Sequence, residues 1–105
     1  MPELDPIIHQ PVRLQIMAAL TALPEDAQLN FVTLREMLKL TDGNLSVHLR
    51  KLEDAGYIRI DKTFEGRKPR TFIAATPAGR AAFDAHVRAL KQILGQSDGT
   101  DTTTR

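Results

Sequence analysis

Residues 43–56 and the segment that follows them impose two demands that few folds meet together. Leu45, Leu49 and Leu52 recur at the spacing of one helical face. Gly56 follows where a helix commonly ends in a left-handed residue. Two β-prone segments come next, Tyr57 to Phe64 and Thr71 to Thr76. They are joined by Glu65-Gly66-Arg67-Lys68-Pro69-Arg70, a run with glycine and proline but no apolar residue. An amphipathic helix from about Gly43 to Ala55 therefore leads straight into a hairpin with a cationic tip.

The rest of the chain supplies supports for that pair. Pro11 suits the first turn of a helix, where its missing N–H costs nothing. Val12, Ile16, Ala19, Leu20 and Leu23 then mark a buried face, ended by Pro24. Leu14 and Met17 lie off that stripe, so this first helix is apolar on more than one side. Asn30-Phe31-Val32 reads as a short extended piece. Thr33 and Glu36 have the spacing of a capping box, which starts a second helix at about Leu34 to Leu40, with Leu34, Met37 and Leu38 inward. Thr41-Asp42-Gly43 forms the next break, with Thr41 or Asp42 as the cap of the third helix. Thr76-Pro77 opens a last helix that runs to about Leu94.

The resulting order is helix, short strand, helix, tight turn, helix, hairpin, helix. Two helices joined by a short turn and followed by a basic hairpin describe a mainly α, α+β winged helix-turn-helix. Residues 1–94 form that domain, and 95–105, without a hydrophobic residue, read as a disordered tail. No apolar run is long enough to span a bilayer, and Met1 to His9 lacks the basic region of a secretory leader. Cytosol is the expected compartment. With no cysteine, thiolate metal sites and cysteine nucleophiles are excluded.

Charge becomes informative only when divided along the chain, since the total is +1. Residues 1–40 sum to −2, residues 41–76 to +2 and residues 77–105 to +1. The basic excess is densest in Arg67 to Arg70, which suits one edge offered to a polyanion.

With Leu45, Leu49 and Leu52 inward on the third helix, Ser46, Val47, Arg50 and Asp54 fall on the opposite face, flanked by Asn44 and Lys51. Ser46 can donate or accept, Val47 can meet a thymine methyl, and Arg50 can bond guanine or phosphate. The same face also fits a helix that simply meets water. Arg67, Lys68 and Arg70, with Lys62 and Thr71 beside them, can follow a phosphate ridge or enter the minor groove. They can equally blunt a sheet edge with charge.

These residues carry a resemblance. Leu40 to Ile58 (LTDGNLSVHLRKLEDAGYI) resembles the recognition helix of winged-helix regulators in the MarR/ArsR group. Its Ser46-x-His48-Leu49-x-x-Leu52-x-x-Ala55-Gly56 portion looks like a signature of ArsR-like members. Phe64 to Thr71 (FEGRKPRT), Thr76-Pro77-x-Gly79-Arg80-x-Ala82-Phe83 and the opening His9 to Ile16 (HQPVRLQI) are similar to a compact MarR-like subgroup. The resemblance implies a dimeric DNA-binding repressor or activator, the third helix in the major groove and the wing on the backbone. Metal sensing does not carry over, because His9, His48 and His86 show no ligand spacing. No metal and no cofactor are expected, and no residue constellation names a small-molecule effector.

In the last helix, Phe83, Val87, Leu90 and Leu94 follow +4, +3, +4 spacing, as in a short coiled-coil seam. They pack either on the first helix of the same subunit or, with Leu14 and Met17, across a two-fold interface. The second reading predicts a homodimer on a palindromic duplex, with half-sites about 34 Å apart. Two rival classes remain. An enzyme is disfavoured, since Ser46 and His48 sit on different sides of their helix and no glycine-rich phosphate loop exists. A winged-helix protein–protein interaction module is the alternative, but it needs no cationic wing.

Overall fold

Gln10 ends the lead-in with its side-chain oxygen accepting from the Arg13 amide at 2.9 Å, and Pro11 starts the first helix. The computed structural model describes residues 3–95. Its elements are α1 (Pro11–Thr21), β1 (Leu29–Asn30), α2 (Phe31–Leu38), α3 (Asp42–Asp54), β2 (Ile58–Glu65), β3 (Lys68–Ala75) and α4 (Pro77–Ile93). The three strands form an antiparallel sheet in the order β1-β3-β2. This is the expected winged helix-turn-helix order. The tail expected over 95–105 lies, apart from Gly95, outside the described residues.

Helix α1 occupies the centre and contacts α2, α3, β3 and α4. Ile16, Met17 and Leu20 are completely buried on it, joined by Ile8 from the lead-in. Encirclement within one subunit therefore explains why α1 is apolar on more than one side. Met17 has no surface left for a partner, which corrects its assignment to a dimer interface. Leu14 is half-buried and packs on the same core. The far end of α1 is tied to α4 by Arg80, whose guanidinium donates to the carbonyls of Thr21, Leu23 and Pro24 at 3.1–3.3 Å.

Helix α2 begins earlier than its sequence suggests. Pairing of Leu29 with Ile73 and of Asn30 with Phe72 ends the extended segment at Asn30. The Asn30 side chain then caps the helix by accepting from the Val32 amide at 2.8 Å, so Thr33 is not the cap. Leu34 is buried as expected, whereas Met37 faces outward. Lys39 adopts the left-handed conformation (φ 57°) that ends α2, and the turn to α3 runs through Lys39, Leu40 and Thr41. Gly43 lies inside the first turn of α3 and is not the residue that makes the break.

Thr41 caps α3 by accepting from the Asn44 amide at 3.1 Å. Leu45, Leu49 and Leu52 are buried, as their spacing predicts. At the other end the Gly56 amide donates to Glu53 and the Tyr57 amide to Leu52, with Gly56 at φ 82°. That double closure fixes the direction in which β2 leaves the helix. The hairpin is longer and its tip shorter than expected. Strands pair from Ile58 with Ala75 out to Glu65 with Lys68, leaving only Gly66 and Arg67 between them. Gly66, at φ 65°, is the first central residue of that two-residue turn, where glycine is favoured. Pro69 is tolerated within β3 because β1 pairs only at Phe72 and Ile73, so its missing N–H removes no bond to β1.

Candidate nucleic-acid interface

The exposed side of α3 carries Asn44, Ser46, Val47, Arg50 and Lys51, all open to solvent. The helix is anchored behind them. Arg35 of α2 bonds Asp42 at 2.6 Å across the turn, fixing the angle between α2 and α3. Arg13 Nη1 donates to His48 Nδ1 at 3.2 Å, while its Nε donates to the Ile7 carbonyl at 2.6 Å. Since arginine can only donate, His48 Nδ1 is unprotonated. Burial, helped by the charges of Arg13 and Lys51, holds the His48 imidazole below its ordinary value of 6.5 and therefore neutral. His48 is thus a packing residue of α3. Among the described residues, no group of three or more His, Cys, Asp or Glu could hold a metal ion.

The alternation of the hairpin decides which wing residues share a face with α3. Ile58, Ile60, Lys62 and Phe64 of β2 stand opposite Ala75, Ile73, Thr71 and Pro69 of β3. The inner members of this set are core residues, so the face continues outward from the core beside α3. Between helix and sheet lies a groove of about 490 Å³, lined by Ser46, Leu49, Arg50, Glu53, Asp54, Ile60, Lys62, Thr71 and Phe31. Ser46, Arg50, Lys62 and Thr71, singled out separately in the sequence, are therefore brought to one surface. Asn44, Val47 and Lys51 are exposed on α3 outside the groove.

Arg67 and Lys68 occupy the exposed end of the hairpin. Arg70 differs from them. It stands, like Lys68, on the sheet face away from the groove, across from Thr63, but its Nε bonds the Glu65 carboxylate at 3.0 Å. Part of its charge is therefore answered within the hairpin. Two features escaped the sequence reading. Glu53 lines the groove with Asp54 at the C-terminal end of α3, where paired acids repel phosphate beside the cations Arg50 and Lys51. Phe64 lies on the groove face beyond Lys62, and counting strand alternation from the core would have found it.

A helix with an open polar face, a groove and a projecting basic hairpin make up one continuous surface, and comparison with known proteins shows the family that carries it. The family model described as a winged helix DNA-binding domain matches residues 12–94. This chain belongs to the winged helix DNA-binding family. An uncharacterized protein of Methanocaldococcus jannaschii is 38% identical over 87 residues, which is 83% of this chain and 91% of that protein. The structure of a transcriptional regulator homologue from Pyrococcus horikoshii superposes with a TM-score of 0.77 at 32% identity, covering 85% of each chain. A transcriptional regulator of the MarR family from Enterococcus faecalis shares the fold, with a TM-score of 0.69 at 24% identity over 85% of this chain and 76% of that one. The winged helix protein is accordingly a DNA-binding regulator of MarR-like architecture, with α3 as the second helix of its helix-turn-helix and the β2–β3 hairpin as its wing. Among its described residues, no helix is long and apolar enough to cross a membrane.

Proposed function

We propose that the chain is a sequence-specific regulator of transcription that binds double-stranded DNA as a homodimer in the cytoplasm. Helix α3 enters the major groove, where Ser46, Val47 and Arg50 meet base edges while Asn44 and Lys51 meet the flanking backbone. The wing lies along the backbone or in the adjacent minor groove, with Arg67 and Lys68 on phosphates and Lys62, Thr71 and Arg70 behind them. The observation that carries this reading is the shared groove of Ser46, Arg50, Lys62 and Thr71, because it lets one duplex touch helix and wing together. Phosphate contacts of the wing set position, and contacts of α3 select sequence.

The dimer part of the reading rests on α4. Ile93 and Leu94 are 48% and 68% exposed, and Val87, Leu90 and Phe83 are only half-buried. A two-fold pairing through this end of α4, with Leu14 at its margin, covers those side chains. It also sets two recognition helices about one helical turn of DNA apart, for a palindromic operator. Selection of bound duplexes from a random pool, followed by titration over a salt series, tests the whole reading. A recovered palindrome and a steep fall of affinity with salt are expected. Salt-insensitive or absent duplex binding overturns it in favour of a protein-interaction module.

A further inference from the structure

Phe64 is the most exposed large hydrophobic residue at the wing, with 69% of its surface open. Isolated exposed apolar residues are ordinary on protein surfaces. Three facts set this one apart. It stands on the sheet face that carries Lys62 and Thr71, next to the groove under α3. Its cross-strand neighbour is Pro69, so the two make a small apolar plate near the end of the hairpin. Cations bracket the plate: Lys62 lies two residues inward along β2 on the same face, and Arg67 lies at the turn, with Lys68 next to it on the other face. Strand geometry puts Lys62 and Phe64 about 7 Å apart along the hairpin. Strand β1 reaches only to Phe72, so along this outer half of the hairpin β3 is paired with β2 alone and its other edge is open among the described residues.

A surface that alternates cation, apolar plate and cation matches the side of a nucleic-acid duplex. There, charged phosphates alternate with the C–H faces of deoxyribose. An aromatic ring gains nothing from phosphate, but it gains from covering a sugar face and expelling water from it. We infer that Phe64, backed by Pro69, is a DNA-contact residue that packs on the deoxyribose wall of the duplex while Lys62 and Arg67 hold the phosphates on either side. The inference rests on the DNA-binding reading above and deepens it. Its mark is a contribution that releases no counterions and is therefore independent of salt.

The test compares the wild type with Phe64→Ala, Phe64→Leu and the double variant Arg67→Ala/Lys68→Ala. Each is titrated into a labelled duplex of mixed sequence between about 50 and 200 mM salt. Phe64→Ala is expected to raise Kd roughly five- to tenfold at every salt concentration, giving a line parallel to the wild type. Phe64→Leu keeps an apolar side chain and should lose less. The double variant should flatten the slope. Because position 64 is exposed, an unchanged thermal midpoint is expected for the single variants and confirms that the fold is intact. The inference is overturned if Phe64→Ala binds like the wild type while the double variant flattens the slope. It is overturned equally if Phe64→Ala changes the slope itself, or changes sedimentation without DNA, which would give the ring to a second copy of the chain. If the wild type binds no duplex at all, the DNA-binding reading falls first and takes this inference with it.

Discussion

Gly79 passes so close to the Tyr57 carbonyl oxygen that a Cβ at position 79 would overlap it. The same carbonyl accepts from the Thr76 amide at 3.0 Å. Thr76 Oγ1 in turn accepts from the Gly79 amide at 3.0 Å and donates to the Gly56 carbonyl at 2.6 Å. The end of α3, the start of β2 and the start of α4 are thus locked at one point. Gly79→Ala should destabilise the protein by about 1–3 kcal/mol, toward the upper end because the obstructing atom is backbone. Urea denaturation measures it. Gly43→Ala is the control: nothing lies within 4 Å of the added methyl, and alanine favours the helix, so a neutral or stabilising effect is expected.

Acid should loosen the lead-in before it affects the rest of the fold. His86 on α4 is 1% exposed, and its Nδ1 accepts from the Asp5 amide at 3.1 Å. Burial, followed by the charge of His9, pushes His86 below its ordinary value of 6.5, and Asp5 opposes them only in part. A histidine depressed in the fold adds full stability above its unfolded value and loses it as pH falls toward the folded one. The urea midpoint should therefore decline below about pH 6.5, with His48 contributing in the same direction. His86→Asn keeps an acceptor without a titrating group, and its midpoint should decline less. A decline equal to that of the wild type removes His86 from the account.

Asp5 itself belongs to a lower window. Burial raises its carboxyl, but the Tyr57 hydroxyl and the amides of Ile7 and Ile8 outweigh that and hold it below 3.8. Its contribution is present above 3.8 and is lost only as pH falls further. The partner effect appears on Tyr57, whose hydroxyl donates to Asp5 at 2.6 Å and is pushed up to about 12. Tyr57→Phe should lower stability at neutral pH by roughly 1 kcal/mol, since a partly buried carboxylate loses a donor. Spectrophotometric titration of the single tyrosine checks the shift directly, and ionisation near 10 would contradict it.

The core was legible where local periodicity and tertiary packing agreed. Leu45, Leu49 and Leu52 lie inward, Thr41 and Thr76 cap their helices, and Gly56 ends α3 as its position suggests. Misreadings arose where a partner distant in sequence decided the outcome. Asn30 and Thr33 are both good caps, and only the pairing of Leu29 with Ile73 makes Asn30 the boundary. Lys68-Pro69-Arg70 looks like turn chemistry, yet the register set by Gly66 draws it into β3. Met17 appeared surplus to one subunit because a pattern along α1 does not reveal that four elements surround it. The candidate interface was legible in residue type but not in grouping. Arg70 and Lys62 read alike in sequence, and opposite strand faces separate them.

That separation makes the wing and helix cations unequal in a measurable way. Arg67→Ala/Lys68→Ala should weaken binding to every duplex and reduce the slope of log K against log salt by about 2. Arg70→Ala should have a smaller effect, because its guanidinium is already paired with Glu65. Arg50→Ala should alter preference at individual base pairs by about 1–3 kcal/mol. Equal losses on all duplexes for Arg50→Ala would place it on phosphate.

The proposed dimer is best challenged at the most exposed residue of its seam. Leu94 is 68% open in the single subunit, so Leu94→Asp should leave the stability of the monomer nearly intact. A loss of stability would mean that the residue packs within its own chain. If α4 pairs across a two-fold axis, the buried carboxylate must be desolvated without a partner, which costs far more than the apolar contact it replaces. Sedimentation should then show monomers. Affinity for a palindrome should fall on the order of a hundredfold, because two linked half-sites no longer act together, while affinity for one half-site stays unchanged. A Leu94→Asp protein that still sediments as a dimer assigns the two-fold contact to another face. Equal losses on palindrome and half-site would mean that α4 supports the recognition helix directly.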